Sequence, residues 1–360
     1  MSRFTSYYLY QKYEKVGDGE WTPVYPNEYS ISGDTNDPMP LVVKTNNDPE
    51  CGYYPPIYRW TNSDQTICIY QEDNPYANEY LTIDIVSAGT LSFEITSTCG
   101  GSRKISYSIG TTATTTPSSW SAPTDYMFLG AISDLQPGRR IFIKGLNNEY
   151  GYCCTWKFGG TAKFNVHGNI MSLIYGDDFV GHYTLLEEET FNGLFMTSKV
   201  VDASNLILPS QTLTRACYAE MFKSCVYLTA APELPALTLA DSCYAEMFYG
   251  CRSLTTAPEL PATTLANSCY GGMFNRCSGL TTSPDLPAET LVYNSYNSMF
   301  YNCSSLNSIK CLATDISATN CTNLWVSGVS NTGTFTKAES MNNWTIGTSG
   351  IPSGWATTNV

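Results

Sequence analysis

The chain has 360 residues, 42% of them hydrophobic and only 14% charged, against about 25% charged in an ordinary globular protein. Its 32 acidic and 19 basic residues leave a formal charge of −13, which repels phosphate backbones and excludes nucleic acid as an expected partner. The densest basic cluster, Arg139, Arg140 and Lys144, is too small to reverse this.

Met1 to Tyr8 lacks the apolar run of about 7–15 residues that an export signal needs. No window reaches the ~18 apolar residues of a membrane span, so neither export by that route nor membrane insertion is expected.

Residues 1–78 read as a small aromatic-rich β module, a docking or spacer unit, with Trp21-Thr22-Pro23, Tyr53-Tyr54-Pro55-Pro56 and Tyr58-Arg59-Trp60. Cys51 and Cys68 could pair in an oxidising setting. Over residues 79–168 the pattern becomes period two, in Leu81 to Ile85, Leu91 to Ile95, Lys104 to Ile109 and Ile141 to Lys144. The turn-rich spacers Cys99-Gly100-Gly101-Ser102 and Gln136-Pro137-Gly138, with a Thr/Ser loop over 111–119, then predict an antiparallel β-sandwich. Residues 169–200 read as a bridge and N-terminal cap, in which Phe191 to Pro209 begins a degenerate repeat.

From 201 to 325 the sequence repeats. Met221-Phe222, Met247-Phe248, Met273-Phe274 and Met299-Phe300 recur with a step of 26, as do Cys225, Cys251, Cys277, Cys303 and Leu228, Leu254, Leu280, Leu306. Cys217, Cys243 and Cys269 form a further column, which Ser295 interrupts and Cys321 resumes. A unit of this size cannot bury its own apolar face, so the units must stack, with these columns as their core. Stacked Cys columns are expected to be small buried hydrophobes rather than zinc ligands, whose spacing they lack. The stretch Leu228 to Leu234 predicts a short extended segment, kept irregular by Pro232. The apolar stripe at 217, 221 and 225 predicts one or two helical turns. Residues 326–360, opening after Trp325 has replaced the Met-Phe pair, read as a C-terminal cap.

The unit Cys-Tyr-x-x-Met-Phe-x-x-Cys-x-x-Leu, as at Cys243 to Leu254, resembles the BspA-like leucine-rich repeat family over about residues 190–360. The resemblance implies a right-handed solenoid with short parallel strands, used for surface attachment and without catalysis. Gly19 to Val24 and Cys51 to Trp60 look like small modules of tail-fibre and surface proteins of gut Bacteroidales and their phages. Gly168 to Gly176 looks like the segment that often precedes such repeats. The expected fold is mainly β: a small module, a sandwich, and a leucine-rich-repeat-like solenoid with short helical turns.

No catalytic constellation is nominated. His167 and His182 are the two histidines and neither sits in a metalloprotease or nucleophile-elbow pattern. Cys153-Cys154 lacks redox spacing, Asp177-Asp178 reads as a solvated turn before it reads as a calcium site, and no cofactor or metal is expected. A glycan-degrading carboxylate pair is the enzymatic alternative. The binding candidates are the acidic column Glu233, Glu259 and Asp285, and the aromatics Tyr53, Tyr54, Tyr58 and Trp60, which suit stacking on sugars. The expected function is a phage virion fibre or tail-associated adhesion protein. Its expected partners are other virion proteins at the N-terminal module, a host-surface protein or glycan at the repeats, and further copies in a homo-oligomer. The alternatives are a bacterial cell-surface adhesin and a glycan-binding accessory protein.

Overall fold

The computed structural model describes residues 10–15, 21–29, 41–45, 58–61, 66–71, 76–95, 104–121, 124–125, 128–145, 156–185 and 187–360; before residue 76 it describes backbone strands alone. The chain divides into two compact units, Met1–Ala77 and Asn78–Val360. In the first, β1 (Tyr10–Lys15) pairs antiparallel with β2 (Trp21–Tyr29). There β3 (Leu41–Thr45), β4 (Tyr58–Thr61) and β5 (Thr66–Gln71) form an antiparallel sheet in the order β3-β5-β4.

The second unit is mainly β and opens on two facing sheets. One, in the order β10-β7-β12, comprises β10 (Phe128–Leu135), β7 (Gly89–Ile95) and β12 (Trp156–Gly160). The other, in the order β14-β13-β6-β11-β8-β9, comprises β14 (Val200–Ile207), β13 (Phe164–Asn169), β6 (Leu81–Ile85), β11 (Arg139–Gly145), β8 (Lys104–Thr111) and β9 (Thr124–Asp125). The alternation read from the sequence is the reason. Leu81, Ile83, Ile85, Ile141 and Ile143 turn to one face and are buried, and of these Ile141 and Ile143 meet Leu91, Phe93 and Phe158 of the other sheet around a small apolar space. The segment between β13 and β14 holds a single helical turn, α1 (Ser172–Tyr175), and a 3-10 turn over Gly176–Asp178. Gly168 makes the passage possible: its φ is +84°, and a Cβ there would collide with the Tyr80 carbonyl.

The six-stranded sheet runs on into the repeats. Beside its parallel partner β13, β14 reaches the next unit through Ala203 N–H to Ala230 O (3.0 Å) and Thr229 N–H to Val201 O (2.8 Å). Beyond it, the segments carrying Pro232 and Pro258 make isolated bridges, such as Thr256 with Thr282. A continuous parallel ladder begins only at the segment carrying the last proline of the column, Pro284, where the register shifts between Thr282 and Asp285, and it is regular beyond that segment. It comprises β15 (Thr282–Leu286), β16 (Ser308–Cys311), β17 (Thr334–Lys337) and β18 (Ala356–Asn359). Proline lacks the N–H that a ladder needs, which explains the order of appearance.

The helical turns expected over 217–225 are not there. Ala216, Glu220 and Ser224 have φ of 50°, 56° and 61°, and Ser242, Glu246 and Gly250 repeat the pattern one unit on. A left-handed residue at every fourth position is incompatible with a right-handed helix. The result is a ribbon of turns. Cys217, Ala219, Met221, Lys223 and Cys225 donate their N–H three residues back, while Ala216, Tyr218, Glu220, Phe222 and Ser224 donate to Asp241, Cys243, Ala245, Met247 and Tyr249 of the next unit. Every second N–H thus ties one unit to its neighbour, and the backbone is satisfied without helix or strand.

Two aromatic columns fill the core of the repeats. Phe158, Phe195, Phe222, Phe248, Phe274 and Phe300 stack at centroid separations of 5.1, 5.3, 5.6, 5.6 and 5.8 Å, so that the column starts on β12 of the facing sheets. Phe191, Tyr218, Tyr244, Tyr270 and Tyr296 form the second, at 5.8 to 6.2 Å. Both end on Trp325, which contacts Tyr296 and Phe300 at 6.2 Å and is itself covered by Trp344 at 5.5 Å. Such pairs contribute about 0.5–1.5 kcal/mol each beyond burial.

Candidate functional site

The repeat-core residues Cys217, Phe222, Cys225, Leu228, Cys243, Phe248, Cys251, Leu254, Cys269, Phe274, Cys277, Leu280, Phe300, Cys303 and Leu306 are all fully buried. The nine cysteines from Cys217 to Cys321 are free thiols. Those of Cys225, Cys251, Cys277 and Cys303 donate to the carbonyls of Phe195, Phe222, Phe248 and Phe274 at 2.9, 3.1, 3.0 and 2.9 Å. Each Phe222-type carbonyl also takes the N–H of Cys225 or its equivalent, so the thiol fills a second lone pair that no alanine could reach. Burial pushes the Cys225 and Cys303 thiols up to about 12 and raises Cys251 and Cys277 well above the ordinary thiol range, so these sulfurs are inert packing groups.

The acidic column lies on the extended face of the stack. Glu233 and Asp285 are exposed and Glu259 is half-buried between neighbouring units. A bulge-like shift between Thr282 and Asp285 sets Lys310 opposite Asp285, and their side chains meet at 2.6 Å. Burial first, and the charge of Asp285 second, raise the Glu259 carboxyl above its ordinary range; Lys310 offsets part of this. Negative charge at Asp285 thus opposes ionisation of Glu259, and the exposed Lys310–Asp285 pair contributes at most about 1 kcal/mol. A shallow groove lined by Thr263, Thr264, Leu265, Pro287, Glu289 and Thr290 follows on the same units.

A second polar constellation, unannounced by any motif, covers the outer face of the six-stranded sheet. Arg140 on β11 grips Asp84 on β6 in two-pronged fashion (2.7 and 2.8 Å) and reaches the Thr114 carbonyl at 3.1 Å. His167 on β13 lies 3.3 Å from Asp84 and 3.1 Å from Glu79, and only 6% of it is exposed. A doubly protonated ring donates to both carboxylates; a neutral ring donates to one. Burial opposes ionisation of Asp84, but the hydrogen bonds from Arg140 and then His167 outweigh it and hold the carboxyl at about 2. Next to it Lys144, 7% exposed, bonds both oxygens of Asp177 (2.6 and 2.7 Å) and lies 4.3 Å from the centre of the Trp120 ring. Tyr80 donates to the same Asp177 at 2.7 Å, and burial together with that bond raises its hydroxyl to about 12. Asp177 is thus an anchor for Lys144 and Tyr80. The residues involved are up to 97 positions apart, which is why a search for short motifs passes over them. Chemically, these side chains bind one another and pin β6, β11, β13 and the 3-10 turn together.

Tyr53, Tyr54, Cys51, Cys153 and Cys154 lie outside the described residues, and Tyr58 and Trp60 are described as backbone positions of β4 alone. Among the described residues no group of three or more His, Cys, Asp or Glu is placed to hold a metal ion, and no helix is long and apolar enough to cross a membrane. No protein-family model, no curated protein and no solved structure matches the chain.

Proposed function

We propose that this chain is a non-enzymatic adhesion protein, whose stacked units form a leucine-rich-repeat-like solenoid and whose two facing sheets form a β-sandwich that caps it. In this reading it is a fibre or tail-associated component of a phage virion. The Met1–Ala77 unit docks to the particle, and the solenoid grips a basic or cation-bearing ligand on the host surface. One observation carries the ligand class: Glu259 sits half-buried beside Asp285 with its ionisation opposed by both burial and its neighbour, so an incoming positive charge stabilises the row. Stacked units also offer such a row as an extended, rigid surface, the usual use of repeat arrays.

Two measurements test this. Mass spectrometry of purified virions should find the polypeptide in stoichiometric amounts; finding it on bacterial envelopes instead overturns the virion placement. A variant carrying Glu233→Gln, Glu259→Gln and Asp285→Asn should lose at least about tenfold in host-cell binding, or about 1.4 kcal/mol, with unchanged melting. Undiminished binding by that variant removes the acidic row from the ligand site.

A further inference from the structure

Along the corner of the stack that carries Thr212, Thr238, Thr264, Thr290 and Asp315, some joints between units are closed and others are open. Between Thr212 and Thr238 the joint is closed: Leu237 and Thr238 donate their N–H to Gln211 O (3.2 and 3.1 Å), and Leu213 donates to Thr238 O (2.9 Å). The same bonds recur between Thr290 and Asp315, from Thr314 and Asp315 to Glu289 O (2.8 and 3.0 Å) and from Leu291 to Asp315 O (2.9 Å). Thr264 lies between these joints and bridges neither Thr238 nor Thr290 among the described residues. The equivalent bonds are unmade there. The N–H groups of Leu239, Thr263, Thr264, Leu265, Glu289 and Thr290 have no protein acceptor, and the carbonyls of Leu237, Thr263, Thr264 and Thr290 have no protein donor.

The stack itself is not parted. A few residues along, Ser242 N–H donates to Asn267 O and Ser268 N–H to Tyr293 O, both at 2.9 Å, so the turn ribbon keeps its spacing through both open joints. The opening is local, and it coincides with the groove on these units, where Thr263, Thr264, Glu289 and Thr290 are lining residues. The groove has a volume of about 460 Å³, within the range of roughly 300–1,000 Å³ usual for small-ligand sites.

We propose that this groove binds a neutral glycan, whose ring hydroxyls make the bonds that the ladder leaves unmade. Geometry selects the occupant. A peptide strand inserted at either joint would need about 4.8 Å of additional separation between units, which the Ser242 and Ser268 bonds beside the gap prevent. An anionic ligand would meet Glu289 and no lysine, arginine or histidine among the lining residues. A hydroxyl both donates and accepts, so it serves the N–H and C=O groups of the open joints alike, and the exposed Thr263, Thr264 and Thr290 hydroxyls beside them. Leu265, Pro287 and Val292 supply apolar surface for the C–H face of a sugar ring. The site is separate from the acidic row and makes no use of it.

The test is calorimetry and hydrogen exchange on the 360-residue chain, with cellohexaose, mannohexaose and laminarihexaose as probes and a heparin hexasaccharide and hexalysine as charged controls. At least one neutral hexasaccharide should bind and slow backbone exchange over 237–240, 262–266 and 288–291, leaving 211–214 unchanged. Thr264→Val with Thr290→Val removes two exposed hydroxyls and keeps their shape; this variant should melt as the wild type does and bind at least about tenfold more weakly. The variant carrying Glu233→Gln, Glu259→Gln and Asp285→Asn should bind the same sugar unchanged, so failure of the acidic row leaves this site standing. No binding by any neutral probe overturns the proposal, as does binding that leaves exchange over those segments unaltered. Tighter binding of either charged control overturns it too, and so does undiminished binding by the Thr264→Val, Thr290→Val variant.

Discussion

On the outer face of the six-stranded sheet, Arg140, Asp84, His167 and Glu79 are held in one polar network, and Lys144 is buried against Asp177 and Trp120. Inside the repeats the buried residues are mostly aromatics, thiols, methionines, leucines and alanines, with a few hydroxyls; the buried Lys144 and His167 both belong to the other region. One core nevertheless runs through both, from Leu81 to Trp355. The contrast shows two ways of specifying neighbours. The sheets use unlike partners matched once, by charge and geometry. The repeats use like partners matched at every step, by shape. The first responds to acidification and the second does not, since its raised thiols lose protons only in alkali, and this is where the comparison can be broken.

The largest effect is expected at Trp325, where both aromatic columns end. Trp325→Ala should cost about 3–5 kcal/mol in urea unfolding, and by the same amount at pH 7 and at pH 4. A loss that differs strongly between these two pH values would mean that the repeat interior carries a group that titrates between them.

Asp84→Asn comes next, at about 1–2 kcal/mol near neutral pH, below the figure for a fully buried pair because the Asp84 side chain keeps 18% of its surface in contact with solvent. The folded carboxyl titrates at about 2 against an ordinary 3.8. Its contribution is therefore complete above about pH 4 and lost as pH falls through 2. Unfolding curves of wild type and variant should converge on acidification; curves that stay parallel would remove Arg140 and His167 as the source of the stabilisation.

The smallest effect separates packing from hydrogen bonding in the thiol column. Cys251→Ala should destabilise by about 1–2 kcal/mol, and Cys251→Ser, which retains a donor for the Phe222 carbonyl, should differ from it measurably while host-cell binding stays unchanged in both. Identical melting of all three proteins would leave the 3.1 Å thiol contact without energetic weight.

What could be read from the sequence follows from the same division. The strands of the facing sheets and the repeat columns were legible because each repeats a pattern: period two in Leu81 to Ile85 and Ile141 to Lys144, and period 26 in the Met-Phe and Cys positions. The polar network was not legible, since Arg140 and Asp84 are 56 positions apart and obey no period. The turn ribbon was misread as helix because nine residues cannot distinguish a spacing of 4 from one of about 3.6, and only left-handed residues such as Ala216 and Glu220 decide it. Lys310 was missed at the end of the acidic row because a step of 26 from Asp285 arrives at Cys311; the register shift on β15 moves the lysine into place. The aromatic candidates fall on residues 53, 54, 58 and 60, whose side chains are not described.

Because each interior ring and thiol meets its like in the next unit, and the terminal pieces are Phe158 with β14 at one end and Trp325 at the other, the middle of the array is interchangeable. In-frame recombination between two copies of the 26-residue segment would add or delete a coil without disturbing either terminus. Each gained coil would extend the reach by roughly one strand spacing, about 4.8 Å, and add one more carboxylate to the row begun by Glu233 and Glu259. Valency and length would then evolve together, as a count of identical parts.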